Sequence, residues 1–577
     1  SVKDLEKLFF EINYKIVSSD RVLFSSLTKK DLSRGQWRFL TKQELISSLA
    51  VLFKDISGPL RGALIGSKID RILSKYYDNI SSEQIAQSLI TQYGSEALLA
   101  KNKVFEKIFF SFSLEEIQKI AKLLNLSKNT GDIYGEVADQ IPKQYNKLLD
   151  HYKQSDYFKI KKIPDNRATS EEIELEYEQN LTSLGYPHPY QNFVKLELEE
   201  RVNKSTGKFS ALIVMPTGSG KTRTAVEFMI DFIRTRKDSN VLWIVESPNL
   251  AEQSLQTFKD LWKLRGDRKL KAHRCFSNFV PKINFNKGSN IIFGAFDKIK
   301  GLQNQNDYFF NNLKKSTNLI IIDEAHFALA QTYEEVISDI YKNSNEIIKL
   351  GLTATPMRTN DTDFFNLKDF FDTRVIDFKD ENNDTIENPL KYLQENKYLA
   401  KLDIEYLSIP DEDINEYSKE FNDKVIERVQ ASLLKNSQII IFAMSKDHAI
   451  ALNILLQDKG IKSECIIGDT SPVDRINYFE KFKINKNSNN RGEPKLFELN
   501  VLINHSILAT GIDLPRVDEL YLLRKFGNET TAMQVLGRAL RGEKNGGNLI
   551  NKVVSVKGNK SKIANESELY NLIKNMY

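Results

Sequence analysis

From about residue 185 onward, short runs rich in Ile, Val and Leu alternate with longer amphipathic segments, and this alternation narrows the fold more than any other feature of the sequence. The runs at 211–215, 241–245, 290–293, 319–322 and 347–352 read as buried parallel strands, because a strand covered on both faces is continuously apolar. The segments between them are long enough for helices that cross back over the sheet, which is the pattern of a doubly wound α/β domain. A polar stretch at 380–389 separates this series from a second one at 438–442, 463–467, 501–503 and 519–523. Residues before about 160 follow a different rule. Apolar positions recur at spacings of three and four, as at Leu45, Leu49, Leu52 and Phe53, and predict an all-helical N-terminal domain. Ser81 with Gln84 and Ser113 with Glu116 fit capping boxes at helix starts. The expected organisation is a helical accessory domain over 1–163, an acidic linker over 164–184, and two tandem doubly wound parallel-sheet domains over 185–385 and 386–577. The second ends in a basic C-terminal tail, and the Asn-, Lys- and Gly-rich stretch at 485–494 reads as an exposed insertion.

Size and composition agree with this. At roughly 150 residues per domain, 577 residues make three or four domains. The charge balance, 82 Lys and Arg against 77 Asp and Glu, leaves only +5, so a globally basic binder is excluded and any phosphate-binding surface must arise locally. Cys275 and Cys465 cannot furnish a four-cysteine metal site and fit a reduced setting. No apolar stretch approaches the roughly 20 residues of a membrane span, and the cytoplasm is the expected location.

The run at 211–215 leads directly into Pro216-Thr217-Gly218-Ser219-Gly220-Lys221-Thr222 and then a helical stretch. Glycines here let backbone N–H groups converge on phosphate oxygens, and the helix N-terminus adds its dipole. Lys221 supplies a point charge near the β- and γ-phosphates, and the Thr222 hydroxyl can ligand Mg²⁺. Met215 stands where the fuller pattern has its first glycine. About a hundred residues on, the run at 319–322 delivers Asp323-Glu324-Ala325-His326 at a strand's carboxyl end, where open α/β sheets place their chemistry. Two adjacent acids there call for a cation: Asp323 beside a nucleotide-bound Mg²⁺, with Glu324 orienting and deprotonating water, gives both a task.

With these two motifs in place the sequence resembles the superfamily 2 helicases and translocases of the DEAD/DEAH type, over about 185–545. Gly185 to Gln191 is similar to the Q motif, in which Gln191 would read the adenine edge. Pro216 to Thr222 resembles motif I, Glu246 to Leu250 with Gln253 resembles motif Ia, and Gly294-Ala295-Phe296 sits where a further strand-contact motif belongs. Asp323 to His326 resembles motif II and Leu352 to Pro356 motif III. In the second half, Ile440-Ile441-Phe442 resembles motif IV, Ala509 to Pro515 motif V and Gln534 to Gly542 motif VI. The resemblance implies two RecA-like domains holding ATP and Mg²⁺ between them. Lys221, Asp323, Glu324, Arg538 and Arg541 would be catalytic, and Gln191, Thr217, Gly218, Ser219, Gly220, Lys221, Thr222, Gly511 and Asp513 would contact nucleotide. Thr222 and Asp323 would hold the metal, and His326, Thr353, Thr355 and Gln534 would couple the nucleotide to the nucleic-acid surface. Leu393 to Ala400 and Gly511 to Pro515 look most like the branch that contains the motor subunits of type I and type III restriction systems and related DNA repair translocases, which favours DNA over RNA.

Outside the motifs the densest basic stretch runs from Lys263 to Lys287, and it serves either as a nucleic-acid track or as a solvated helix face. Residues 1–175 contain no Glu-x-Lys, and His151-Tyr152-Lys153 starts like a phospholipase-D-type nuclease motif but has Phe158 where an Asp is needed. The helical domain is therefore read as an accessory that binds substrate or a partner nuclease or effector. Two functions remain: a motor that translocates along or unwinds nucleic acid within a defence, restriction or repair system, and a nucleic-acid-sensing ATPase switch that recruits an effector through 1–163.

Overall fold

A computed structural model describes residues 58–93, 168–175, 185–354, 361–376, 378–379, 384–435, 437–470, 472–483, 498–505, 517–524, 535–537 and 540–557, with isolated positions between Ile46 and Val137. In chain order it contains helices α1 (Gly58–Ile65), α2 (Ser67–Leu73) and α3 (Ser82–Tyr93), strand β1 (Ser170–Ile173), helix α4 (Pro189–Lys204), β2 (Phe209–Val214), α5 (Lys221–Arg234), β3 (Asn240–Val245), α6 (Pro248–Arg265), β4 (Leu270–Cys275) and β5 (Asn290–Ala295). Helices α7 (Phe296–Asn304) and α8 (Tyr308–Ser316) follow, then β6 (Leu319–Asp323), α9 (Gln331–Asn343), β7 (Ile348–Thr353), α10 (Asp361–Phe370), β8 (Val375–Ile376) and α11 (Pro389–Glu395). The second half comprises β9 (Lys401–Ser408), α12 (Lys419–Leu433), β10 (Ile439–Phe442), α13 (Lys446–Asp458), β11 (Ser463–Ile466), α14 (Pro472–Lys483), β12 (Val501–Asn504), β13 (Glu519–Leu522) and β14 (Ile550–Lys557).

The strands form two sheets, in the orders β1-β4-β5-β3-β6-β7-β2-β8 and β11-β12-β10-β13-β14-β9. Every pairing is parallel except β1 with β4. These are two RecA-like doubly wound sheets in tandem. All nine apolar runs predicted as strands are strands. The period of two sorts their side chains: Val241, Trp243 and Val245 pack under α4, α5 and α6, while Leu242 and Ile244 pack under α7, α8 and α9 on the other face. Gly351 in β7 shows how close this packing is, since an added Cβ would come to 2.7 Å from Phe371 Cε2. Gly351→Ala is expected to cost about 1–3 kcal/mol through overpacking, read as a lowered midpoint in denaturant unfolding.

Strands β1, β4, β8, β9 and β14 carry no such apolar run. The segment expected as an acidic linker supplies β1, which pairs Ser170 to Ile173 with His273 to Leu270 and covers an edge of the first sheet. Its acids meet the basic stretch. Lys259 pairs with Glu171, Arg274 lies 2.5 Å from Glu171 and 2.6 Å from Glu252, and Lys269 lies 2.8 Å from Glu174. Arg265 pairs with Glu227, and Arg268 donates to the carbonyls of Ile233 at 2.8 Å and Arg236 at 2.7 Å. Trp262, Phe276 and Phe279 are core residues. Arg265, Arg268, Lys269 and Arg274 of the basic stretch thus pair within domain 1.

Leu390, Leu393, Tyr398 and Leu399 share the first sheet's hydrophobic cluster with Leu540, so residues beyond the expected boundary at 385 pack against domain 1, and the second sheet's first strand is β9 from Lys401. The accessory helices are not a free-standing unit. Ile65, Ile69, Leu73, Ile85 and Leu89 share one cluster with Ile450, Ile454 and Leu455 of α13 and with Ile439 and Ile441 of β10. Helix α13 is buried from His448 to Leu456, because the second sheet covers one side and α2 and α3 the other. Polar bonds seal the join: Gln84 Nε2 donates to Asp458 Oδ2 at 2.8 Å, Tyr76 donates to the Lys419 carbonyl at 3.1 Å, and the Arg71 guanidinium lies 4.4 Å from the Tyr417 ring centroid. The capping box at Ser81 is reciprocal, with Ser81 N to Gln84 Oε1 at 2.9 Å and Gln84 N to Ser81 Oγ at 3.2 Å. Ser113 with Glu116, His151 and the 485–494 insertion lie outside the described residues.

Candidate active site

Strand register gathers the candidate residues. β7 lies between β2 and β6, with Val214 opposite Thr353 and Asp323 opposite Leu352, so the carboxyl ends of the three strands finish together. The loop 216–220, Asp323 to His326 and Thr353 therefore emerge along one edge. Gly218 and Gly220 have φ of 82° and 85°, left-handed values that a phosphate-cradling turn requires and that side chains resist. Ser219 Oγ donates back to the Pro216 carbonyl at 2.6 Å, and the Ser219 carbonyl accepts from Tyr190 Oη at 2.7 Å and Gln191 Nε2 at 2.9 Å. Thr217 Oγ1 is buried and, among the described residues, has no hydrogen-bond partner.

Across this loop the two acids take distinct places. Thr222 Oγ1 donates to Asp323 Oδ2 at 3.0 Å, and the Glu324 amide donates to Asp323 Oδ1 at 3.0 Å. Burial, with the Glu324 charge beside it, holds the Asp323 carboxyl above the usual carboxylate range. Lys221 Nζ lies 3.4 Å from Glu324 Oε1, and His326 Nδ1 lies 3.6 Å from Glu324 Oε2. His326 is pushed below the ordinary histidine value by burial. Glu324 has φ of 52°, an uncommon left-handed value for a side-chain-bearing residue, and such strain concentrates at working sites. Glu246, after β3, is raised by burial and by Glu324 and Asp297; its place near the acidic pair was not evident from its position in motif Ia.

The donor set fits Mg²⁺. Hard oxygen donors from Thr222 and Asp323 sit where a phosphate cradle ends, and an octahedral Mg²⁺ takes its remaining ligands from phosphates and water. No group of three or more His, Cys, Asp or Glu able to hold a metal occurs among the described residues. The unpartnered Thr217 hydroxyl and the left-handed glycines fit a nucleotide's phosphates in the same way.

The second domain closes over the loop. A Cβ on Gly218 would lie 3.3 Å from Leu399 Cδ2, 3.5 Å from the Gly537 carbonyl and 3.8 Å from Leu540 Cβ, and one on Gly537 would collide with Thr217. Arg541 follows directly, its backbone bridged to Leu399, and burial lowers its pKa. Among the predicted residues, Thr355, Gly511, Asp513, Gln534 and Arg538 lie outside the described residues. Sequence reasoning missed the contact of His188 with Asn545 at 2.7 Å, for which no motif exists.

Residues 185–358 match the family model described as type III restriction enzyme, res subunit, and residues 420–543 match the helicase conserved C-terminal domain. With this pair of domains on two RecA-like sheets, the chain belongs to the superfamily 2 helicases. A putative ATP-dependent helicase, IRC3, of Saccharomyces cerevisiae is 27% identical over 39% of this chain and 32% of its own length. Putative helicase 22 of a Sulfolobus islandicus filamentous virus is 22% identical over 58% of each chain. The type I restriction enzyme EcoKI endonuclease subunit of Escherichia coli is 23% identical over 61% of this chain and 33% of its own length. The chain thus spans between about a third and three fifths of these relatives. A solved fragment of a putative HsdR subunit of a type I restriction enzyme from Vibrio vulnificus aligns with 66% of this chain and 67% of its own length, at 18% identity and a TM-score of 0.42. Among the described residues no helix is long and apolar enough to cross a membrane.

Proposed function

We propose that this chain hydrolyses ATP and uses the opening and closing of its two-domain cleft to move along, or unwind, nucleic acid, with DNA as the favoured substrate. The observation that carries this reading is the convergence of Lys221 on Glu324 and of Thr222 on Asp323 at one sheet edge, beside a phosphate loop that meets Gly537 and Leu540 of the other domain. In this reading Gln191 reads the base, Thr217 to Gly220 cradle the phosphates, and Lys221 carries charge toward the γ-phosphate. Thr222 and Asp323 hold Mg²⁺, which when bound would neutralise phosphate charge. Glu324 orients water and takes its proton, with Lys221 and His326 holding the carboxylate in place. Arg541, with Arg538, stabilises charge that develops on the transferred phosphoryl group. His326 and Thr353, with Thr355 and Gln534, link these events to the nucleic-acid surface.

Support for DNA, and for a place in a restriction, defence or repair system, comes from the restriction-type match over residues 185–358 and the Escherichia coli restriction subunit. Other relatives are named RNA helicases. Turnover measured with single-stranded DNA, duplex DNA and RNA should rise most with duplex DNA, and ATP should drive displacement of a triplex-forming strand from linear duplex. Stimulation by RNA alone overturns the substrate assignment. Stimulated hydrolysis without displacement replaces the motor with a sensing ATPase, whose effector would dock through residues 1–163.

A further inference from the structure

We propose that His188 and Asn545 form a positioning latch that ties the base-reading end of α4 to the arm carrying Arg541, so that nucleotide seated in domain 1 sets the arginine of domain 2. This inference rests on the ATP-hydrolysing reading above and adds a partner, Asn545, that lies outside the motifs. His188 immediately precedes α4, and its ring nitrogen Nε2 lies 2.7 Å from Asn545 Oδ1, across the domain boundary. The bond has a defined direction. Asn545 Nδ2 donates to the Tyr398 carbonyl at 2.8 Å, which leaves Oδ1 as the acceptor and requires His188 to present Nε2–H.

Each end of the bond is held in place by further contacts. On the domain 1 side the His188 amide donates to Gln191 Oε1 at 2.9 Å, and Gln191 Nε2 and Tyr190 Oη both reach the Ser219 carbonyl in the phosphate loop. The His188 ring lies 5.7 Å from that of Tyr190 and 4.6 Å from that of Tyr398, and Tyr190 and Tyr398 meet edge-on at 4.9 Å. At the other end the backbone from Leu540 to Lys544 is stitched to 397–400, residues that pack with the first sheet's hydrophobic cluster. Leu540 O accepts from Ala400 N at 2.7 Å, Gly542 N donates to Tyr398 O at 3.1 Å, and Lys544 N donates to Lys397 O at 3.1 Å. A Cβ on Gly542 would meet Tyr398 C at 2.7 Å and Leu399 N at 2.8 Å, so this approach tolerates no side chain. Asn545 N donates to Gly542 O at 2.9 Å and Asn548 N to Arg541 O at 3.2 Å, which fixes Asn545 relative to Arg541. A shift of the Gln191 loop is thereby passed through the His188–Asn545 bond to an arm that residues 397–400 also hold.

Neither residue touches the reacting atoms, so the signature is a loss in kcat with little change in KM for ATP. His188→Ala and Asn545→Ala should each lower kcat roughly 10- to 100-fold, the cost of misplacing a catalytic group. The double variant should be no slower than the slower single one, since both remove the same link. His188→Gln, whose amide can still donate to Asn545, should recover most of the rate. Wild-type kcat in both single variants overturns the latch, as do additive losses in the double variant or a loss that His188→Gln leaves unrepaired. A wild-type chain that turns over no ATP is a different failure: it defeats the proposed function itself and takes the latch with it.

Discussion

Glu324→Gln is expected to lower kcat for ATP hydrolysis roughly 10²- to 10⁴-fold, the usual worth of a positioned general base, while ATP-dependent nucleic-acid binding persists. The amide keeps the size and hydrogen-bonding reach of the carboxylate but cannot take a proton from water. Burial and the Glu324 charge together raise Asp323; the substitution removes that like charge but no side-chain volume, and the Thr222 hydroxyl still reaches Asp323 at 3.0 Å. ATP should bind, close the cleft and remain. Lys221→Ala makes the contrast, because removing the charge beside the phosphates should weaken nucleotide binding as well as turnover. Steady-state kinetics with a gel-shift at saturating ATP separates the two variants. Turnover of Glu324→Gln near the wild-type rate would remove Glu324 as the base.

Arg541→Ala is the second large effect, with kcat falling by about 10³-fold or more, the contribution typical of an arginine finger. The residue follows the turn that meets the phosphate loop, and its main chain is bridged to Leu399, so side-chain truncation leaves the arm in place. Its charge matters most as negative charge shifts during phosphoryl transfer, and nucleotide affinity should change little. Arg541→Lys should recover only part of the rate, since an ammonium lacks the planar fork of donors. Fluorescent-nucleotide binding beside single-turnover hydrolysis reads the split. Parallel losses in binding and rate would make Arg541 a ground-state ligand instead.

Both site and core were legible where chemistry or burial forces a local pattern. Buried parallel strands cannot avoid continuous apolar runs, and a phosphate cradle needs glycines with φ near 82° to 85°, as at Gly218 and Gly220. What escaped depends on partners distant in sequence. β4 reads as Leu-Lys-Ala-His-Arg-Cys, and its charges make sense only once β1 and α6 bring Glu171 and Glu252 to Arg274. β9 is half-exposed, and β14 pairs with it across 149 positions of sequence, from Lys401 to Ile550. The attachment of α2 and α3 to α13 did leave a trace, because a helix apolar around most of its circumference must be covered on two sides. Within the segment 164–184, Glu171 and Glu174 pair with cations that only the folded sheet supplies.

The chain's path gives the machine an unexpected topology. It is seated on domain 2 at residues 58–93, joins the edge of domain 1 at 170–173, builds that domain, and returns to domain 2 at Lys401. The two halves of the cleft are therefore joined twice along the sequence, once between Tyr93 and Ser170 and once before Lys401. The covered face of α13 is thus completed by residues far earlier in the chain, Gln84 lying 374 positions before its partner Asp458, so α2 and α3 find their packing partner only once the chain has been made as far as α13.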